Sequence, residues 1–242
     1  RMAFVPELMK RKRYNEDGVG GFHVYSPWWL DNKKLDFPRG YHIELWGGMG
    51  MPSYGFGFNQ SAVNEYLGEE VGGYGHKIRE EVKDFYGSLV GLSGRGESIA
   101  RKENYCEIDP TTVDEFGIPV LRFNYQWSDN ELKQARHMHE TFEEVLGNMG
   151  GKLLGDKPGP EKKYGLHNPG RIIHEVGTTR MGSDPKTSVV NEFERLHDVE
   201  NVFIVDAGPF VSQADKNPTW TIMALSWRTS EFIIEELKKQ NI

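Results

Sequence analysis

A long apolar segment near the end of the chain constrains the fold more than any other feature of the sequence. It runs from Lys216 to Leu237 and reads KNPTWTIMALSWRTSEFIIEEL. Pro218 suits the first position of a helix, where its missing N–H would have no partner, and Asn217 before it is a good N-cap. The first half of the segment is apolar nearly all round. We therefore expect a helix whose first half is buried and whose polar end is exposed.

Two segments upstream of this helix place polar groups where a ligand can bind. The Gly-rich loop HEVGTTRMGSDP opens with His174, and the apolar strand NVFIVDAG ends in Asp206 and Ala207. Histidine is well suited to move a proton near neutral pH, and a helix N-terminus favours negative charge. His174 and Asn217 are therefore candidate site residues. The alternatives are a hydrogen-bonded structural histidine and a simple helix cap.

In this order the motifs resemble those of the glucose–methanol–choline (GMC) flavin oxidoreductases. The pattern HxxGTxRMG is followed by a strand ending in VDAG and then by NPTxTIxALxxR. The resemblance is strongest to the branch with a His–Asn pair, which includes pyranose oxidases, bacterial cholesterol oxidases and periplasmic sugar dehydrogenases. The ordered match covers about a quarter of the chain, and a looser match extends upstream to about Asn104. Residues 1 to about 100 match weakly.

The resemblance implies a catalytic pair. His174 matches the family histidine that takes the proton of the substrate hydroxyl, and Asn217 matches the partner that hydrogen-bonds the same hydroxyl. As the proton leaves, a hydride passes from the substrate carbon to flavin N5.

The resemblance also implies which residues contact the expected cofactor, FAD. Asp206 and Ala207 match the strand end that contacts the ribityl and phosphate region. Asn217, Pro218 and Thr219 match the helix start whose N–H groups face the flavin pyrimidine ring. Reduction adds negative charge there, and the helix dipole stabilises that charge. No metal ligand set is predicted.

The dinucleotide-binding motif of the family is missing from the sequence. The family binds the ADP part of FAD through GxGxxG near its N-terminus. None of the GxG segments that begin at Gly18, Gly48 and Gly73 is followed by the third glycine of the motif, because His23, Ser53 and Ile78 occupy that position. We therefore expect the chain to be the C-terminal portion of a longer protein. Its expected partners are the missing N-terminal FAD-binding portion, a small sugar or alcohol substrate, and an electron-acceptor subunit.

Composition narrows the functional classes further. A net charge of −7 argues against nonspecific nucleic-acid binding, and no apolar run approaches the roughly 18 residues of a membrane span. A single cysteine, Cys106, excludes an internal disulfide and a Cys-rich metal or iron–sulfur site within this segment. The resemblance to periplasmic sugar dehydrogenases makes the periplasm the expected location.

The rest of the sequence predicts strands, turns and one further helix. GGFHVYSPWWL and GYHIELWGG are short, aromatic and bounded by glycine or proline, which is typical of antiparallel strands. Their aromatic residues suit either sugar rings or core packing. GGMGMPSYGFGFNQ is either a substrate lid or a plain connector. Asp109-Pro110 is a turn signal, and residues 128–147 carry the apolar stripe of a helix.

We therefore predict an α+β architecture, a mostly antiparallel sheet with flanking helices. Residues 1–170 form the substrate-binding domain, and residues 171–242 form the catalytic loop, strand and helix that contribute to the FAD site. The expected function is FAD-dependent oxidation of a hydroxyl on a sugar or glycoside. A dehydrogenase is favoured over an oxidase because GTTRMG resembles the form in periplasmic sugar dehydrogenases. The alternatives are an alcohol dehydrogenase or lyase acting on a non-sugar substrate, and a non-catalytic carbohydrate-binding or assembly module.

Overall fold

The structure is a computed structural model that describes residues 1–10, 22–25, 33–47, 64, 68, 75–85, 87–172 and 174–242. Most of GGMGMPSYGFGFNQ, including its whole central part, lies outside the described residues. None of the helices among the described residues is long and apolar enough to cross a membrane. The strands and longer helices, numbered in chain order, are β1 (Met2–Phe4), β2 (Phe22–Tyr25), β3 (Tyr41–Gly47), α1 (His76–Phe85), β4 (Leu89–Gly96), β5 (Tyr105–Val113), β6 (Pro119–Asn124), α2 (Asp129–Asn148), β7 (Lys152–Leu154) and α3 (Thr219–Lys238).

The chain divides into two compact units. The first comprises Arg1–Gly96 and Asp129–Leu166, and the second comprises Glu97–Ser128 and His167–Ile242. Compactness thus groups residues 97–128 with the C-terminal segment, whereas the sequence places a domain boundary at residue 170. That boundary stays a prediction about domains.

A five-stranded antiparallel sheet forms the centre of the first unit, with the strand order β2-β3-β4-β1-β7. The predicted mostly antiparallel α+β architecture is confirmed. Alternate residues of β3, including Tyr41 and Ile43, are buried in one core with Met138 and Phe142 of α2. Gly94 of β4 allows this close packing, because a Cβ at that position would lie 2.6 Å from the Met138 Sδ.

The second unit contains a two-stranded antiparallel sheet formed by β5 and β6. The prediction that Asp109-Pro110 ends the strand is wrong, because both residues lie within β5. The pairing register shifts between Ile108 and Val113. Asp109 Oδ1 accepts hydrogen bonds from the backbone N–H groups of Thr111 and Thr112, at 2.9 and 2.8 Å. The turn chemistry of Asp109 is therefore accommodated as an irregularity inside the strand.

The C-terminal helix α3 is present as predicted, but two details of the prediction are wrong. Pro218, with φ −80° and ψ −16°, is the N-cap, and no side chain caps the helix. The apolar first half is also exposed: Trp220 is 84% and Trp227 is 72% accessible. Thr229 is the buried residue of α3. The described residues supply no surface that covers this apolar side of the helix.

The second half of α3 is held by an aromatic stack. The rings of Phe193 and Phe232 are parallel, with centroids 4.1 Å apart. The Thr229 Oγ1 lies 2.7 Å from Oε2 of Glu194, and both side chains are fully buried. These contacts attach α3 to the loop that precedes Asp206. The prediction of a strand that ends at Asp206 is wrong, because residues 201–208 form only an isolated bridge, between Phe203 and Arg195. The segments beside them are loops, which offer no continuous ladder of backbone hydrogen bonds.

Candidate active site

The loop that begins at His174 runs alongside the irregular segment that contains Asp206. Three backbone hydrogen bonds, at alternate positions of the loop, join the two segments at 2.9–3.2 Å. The N–H groups of Gly177, Thr179 and Met181 donate to the carbonyl oxygens of Ala207, Gly208 and Pro209 respectively. The structure therefore brings the His174 loop together with Asp206 and Ala207.

Two glycines make this approach possible. Gly177 has φ 87°, and a Cβ there would lie 3.2 Å from the Phe210 carbonyl oxygen. A Cβ on Gly208 would overlap the Thr179 hydroxyl. The Asp206 Oδ1 accepts a hydrogen bond from the Gly208 N–H at 2.7 Å, which closes a turn at this segment. Gly177 is thus favoured by its positive φ, and Gly208 by the side chains that pack against it.

His174 is half-buried at the start of this loop. Its ring forms no hydrogen bond or ion pair with any residue in the ranges that the structure describes. A structural histidine of this burial normally has a hydrogen-bond partner. Both ring nitrogens are therefore available to a ligand as far as the described residues are concerned.

The start of α3 carries a second group of available polar atoms. The first helical bond joins the Ile222 N–H to the Pro218 carbonyl oxygen at 3.0 Å. The N–H groups of Thr219, Trp220 and Thr221 donate to no residue within the described ranges. Because no side chain caps the helix, these groups concentrate positive potential at its N-terminus.

Asn217 precedes this helix start and is exposed. Its side-chain amide bonds to no described residue, so it does not act as the predicted N-cap. The turn before it is held by a hydrogen bond from Gln213 Nε2 to the Lys216 carbonyl oxygen at 3.2 Å. Asn217, Pro218 and Thr219 are contiguous in this second group. No hydrogen bond between described residues joins His174 to Asn217.

One polar residue close to Gly208, Thr179, was missed by the sequence predictions. The Thr179 Oγ1 is buried and has no hydrogen-bond partner among the described residues. It lies beside Gly208, where a Cβ would meet it. The two threonines of GTTRMG mark the position in the sequence. The burial of the Thr179 hydroxyl follows from the hydrogen bonds between the His174 loop and residues 207–209, which no local pattern specifies. A buried hydroxyl without a partner is costly unless a ligand or water satisfies it.

Each of the two groups suits a different part of a ligand. Backbone N–H groups at the start of α3 suit a group that carries or gains negative charge. The Thr179 hydroxyl suits a hydroxyl or phosphate oxygen, and the second carboxylate oxygen of Asp206 suits a hydroxyl group, which can donate to it. Among the described residues, no cluster of three or more His, Cys, Asp or Glu side chains could hold a metal ion.

Comparison with known proteins places this site in a family context. A family model described as GMC oxidoreductase matches residues 100–226, just over half of the chain. The chain is 30% identical over 167 residues to the gluconate 2-dehydrogenase flavoprotein of Pantoea cypripedii, which covers 69% of this chain and 27% of that protein. It is 29% identical over 178 residues to the 2-methyl-1,2-propanediol dehydrogenase of Mycolicibacterium austroafricanum, which covers 74% and 31%.

An oxidase is also among the relatives. Pyranose 2-oxidase of Lyophyllum shimeji is 28% identical over 150 residues, which is 62% of this chain and 23% of that protein. The chain thus spans less than a third of the length of each of these relatives. Every predicted site residue, from His174 to Thr219, lies inside the region that the family model matches. The chain belongs to the GMC oxidoreductase family.

Proposed function

We propose that the full-length protein oxidises a hydroxyl group on a sugar or glycoside with FAD as its cofactor. The observation that carries the proposal is the uncapped start of α3, where exposed Asn217 precedes three backbone N–H groups that bond to no described residue. Bound FAD supplies the hydride acceptor, flavin N5. The chain's own residues position the substrate, move its proton and stabilise the charge that develops.

His174 acts as the base in this proposal. Its imidazole accepts the proton of the substrate hydroxyl while the adjacent carbon loses a hydride, so the alcohol becomes a carbonyl. The half-buried ring, without a described hydrogen-bond partner, supports this assignment. Asn217 orients the same hydroxyl through its side-chain amide.

The remaining site residues would hold the cofactor. The N–H groups at the start of α3, beginning with Thr219 after Pro218, would bind the flavin and stabilise the negative charge that its reduction adds. Asp206 and Ala207 would bind the ribityl and phosphate region. The buried Thr179 hydroxyl supports this assignment, because a cofactor beside Asp206 would satisfy it.

The proposed partner of this chain is the missing N-terminal FAD-binding portion. Among the described residues, large apolar side chains of α3 are exposed, for example Trp220, Met223 and Trp227. Such a group on one helix is typical of a surface that another segment covers. The short coverage of the relatives is consistent with this partner, since most of their length lies outside the matched part.

Finer properties of the full-length protein rest on the resemblance in its motifs. We favour a dehydrogenase with an electron-acceptor subunit in the periplasm, because GTTRMG resembles periplasmic sugar dehydrogenases. The second candidate is oxidation of a small non-sugar diol, which is favoured by the similarity to 2-methyl-1,2-propanediol dehydrogenase.

The proposal is tested by anaerobic absorbance spectra of the full-length protein, recorded before and after addition of sugars, glycosides and small diols. We expect a bound-flavin spectrum that bleaches with a sugar or glycoside. Bleaching only with a diol would support the second candidate. Conversion of a substrate without bleaching would indicate a lyase. A full-length protein without flavin would contradict the proposal and favour a binding module.

A further inference from the structure

A charged cluster lies on the face of the five-stranded sheet that is opposite α2. His42 and Glu44 of β3 stand across from Arg95 and Ser93 of β4, so the four side chains share one face. The residues that alternate with them, such as Ile43, are buried in the core with α2. The cluster is therefore separate from the hydrophobic core of the first unit.

Glu44 is the centre of this cluster. Arg95 Nε donates to Glu44 Oε1 at 2.6 Å, and the Ser93 hydroxyl donates to Oε2 at 3.3 Å. The His42 Nε2 lies 3.6 Å from Oε1. Burial alone would raise the pKa of Glu44, but the hydrogen bond and charge of Arg95, together with His42, hold that pKa below its usual value. Glu44 and Arg95 thus form an ion pair at neutral pH.

The cluster differs from an ordinary solvated sheet face. The side chain of His42 is 1% accessible, that of Glu44 22% and that of Arg95 33%. A partly buried ion pair seldom stabilises a protein more than apolar residues of similar size would. The terminal nitrogens of Arg95 donate to no residue in the described part of the chain. Recognition of a ligand accounts for such a pair better than stability does.

We propose that this Glu44–Arg95 pair binds two neighbouring hydroxyl groups of a neutral polyhydroxylated ligand. The terminal N–H groups of Arg95 donate to one hydroxyl oxygen, and the Glu44 carboxylate accepts from the next hydroxyl. Each carboxylate oxygen can accept more than one hydrogen bond, so the bond from Arg95 does not prevent this. The inference rests on the proposed function in one respect: the ligand belongs to the class of substrate that the full-length protein is proposed to oxidise.

The pair also selects against acidic ligands. Glu44 neutralises Arg95, so a carboxylate gains no net attraction and meets the negative charge of Glu44 at short range. A hydroxyl group can donate and accept and is therefore matched to both members of the pair. The cluster thus predicts a preference for neutral sugars over the corresponding sugar acids.

The test is Glu44→Gln in the full-length protein, with glucose and gluconate as probes that share a carbon chain. The matched control is Glu107→Gln, because Glu107 accepts from Arg122 Nε at 3.0 Å between two strands at an exposed position. We expect Glu44→Gln to raise KM for glucose about tenfold, with kcat changed less than about twofold, and to lower KM for gluconate. Thermal unfolding with each probe is measured in parallel, because ligand binding raises Tm without turnover.

The outcomes separate this inference from the proposed function. A glucose-dependent rise in Tm that is lost in Glu44→Gln and kept in Glu107→Gln supports the binding site, even if no sugar reduces the flavin. That combination would contradict only the proposed function. An equal rise in both variants, no rise in the wild-type protein, or a fall in kcat with KM unchanged would overturn the inference.

Discussion

At the scale of single residues, we propose that Asn217 binds the ligand and does not cap the helix. Asparagine before proline at a helix start is ordinarily a capping residue. In this structure Pro218 occupies the N-cap and no side chain caps α3. The amide of Asn217 is exposed and has no described partner, so its removal takes nothing from the helix.

We therefore expect Asn217→Ala to slow flavin reduction while leaving the Tm of the full-length apoprotein unchanged. The rate should fall roughly tenfold, because one hydrogen bond to the reacting hydroxyl is lost. Stopped-flow absorbance and thermal unfolding measure the two effects. A fall in stability of about 1 kcal/mol, as expected when a cap is lost, with no change in rate would contradict this role.

Glu194 illustrates a residue whose importance no sequence pattern indicates. It is fully buried and has φ 62°, a backbone conformation that favours glycine. One carboxylate oxygen lies within hydrogen-bond distance of the Thr229 hydroxyl, and the other has no described hydrogen-bond partner. The Thr229 hydroxyl is thus the contact that partly offsets burial of this carboxyl group.

At the scale of elements, the contact between Thr229 and Glu194 fixes α3 to the loop that precedes Asp206. We expect Thr229→Val to lower stability by about 1–3 kcal/mol, because it leaves the buried Glu194 carboxyl group without that donor. Ser230→Ala is the matched control, since Ser230 is exposed and bonds only along its own helix. Midpoints of urea unfolding measure both changes. Equal midpoints for the two variants would mean that the contact does not hold the helix.

The elements were predictable where local chemistry specifies them. The short, aromatic and glycine-bounded segment GYHIELWGG predicts β3, and the apolar stripe of residues 128–147 predicts α2, which spans Asp129–Asn148. The position of Asp109-Pro110 within β5 was not predictable, because the pairing of β5 with β6 overrides a local turn signal. Exposure of the apolar half of α3 also could not be read from its pattern, since burial depends on which segments are available to cover it.

The candidate site likewise has features that the local sequence specifies and features that depend on contacts between distant segments. Glycines that allow the His174 loop to approach Asp206 are recognisable in HEVGTTRMG and VDAG. The orphaned Thr179 hydroxyl and the Glu44–Arg95 pair arise from contacts between distant segments, which the sequence pattern does not specify. The roles of His174 and Asn217 stay predictions that rest on the family motifs.

At the scale of the whole molecule, the exposed apolar side of α3 is the surface that we propose the N-terminal FAD-binding portion covers. We expect Trp220→Ala to destabilise the full-length protein by about 3–5 kcal/mol, as for a buried tryptophan. An exposed tryptophan would change stability by about 0.5 kcal/mol at most. Glu235→Ala, at the polar end of the same helix, is the control. Equal unfolding midpoints for the two variants would leave the helix without its proposed partner.

The central claim is that His174 takes the proton when the full-length protein oxidises its substrate. The most direct measurement is the rate of flavin reduction in a single anaerobic turnover, compared between wild type, His174→Ala and His167→Ala. His167 is an exposed loop histidine and serves as the control. We expect a rate at least about a hundredfold lower in His174→Ala and unchanged in His167→Ala. Equal rates in all three proteins would contradict the role of His174 as the base.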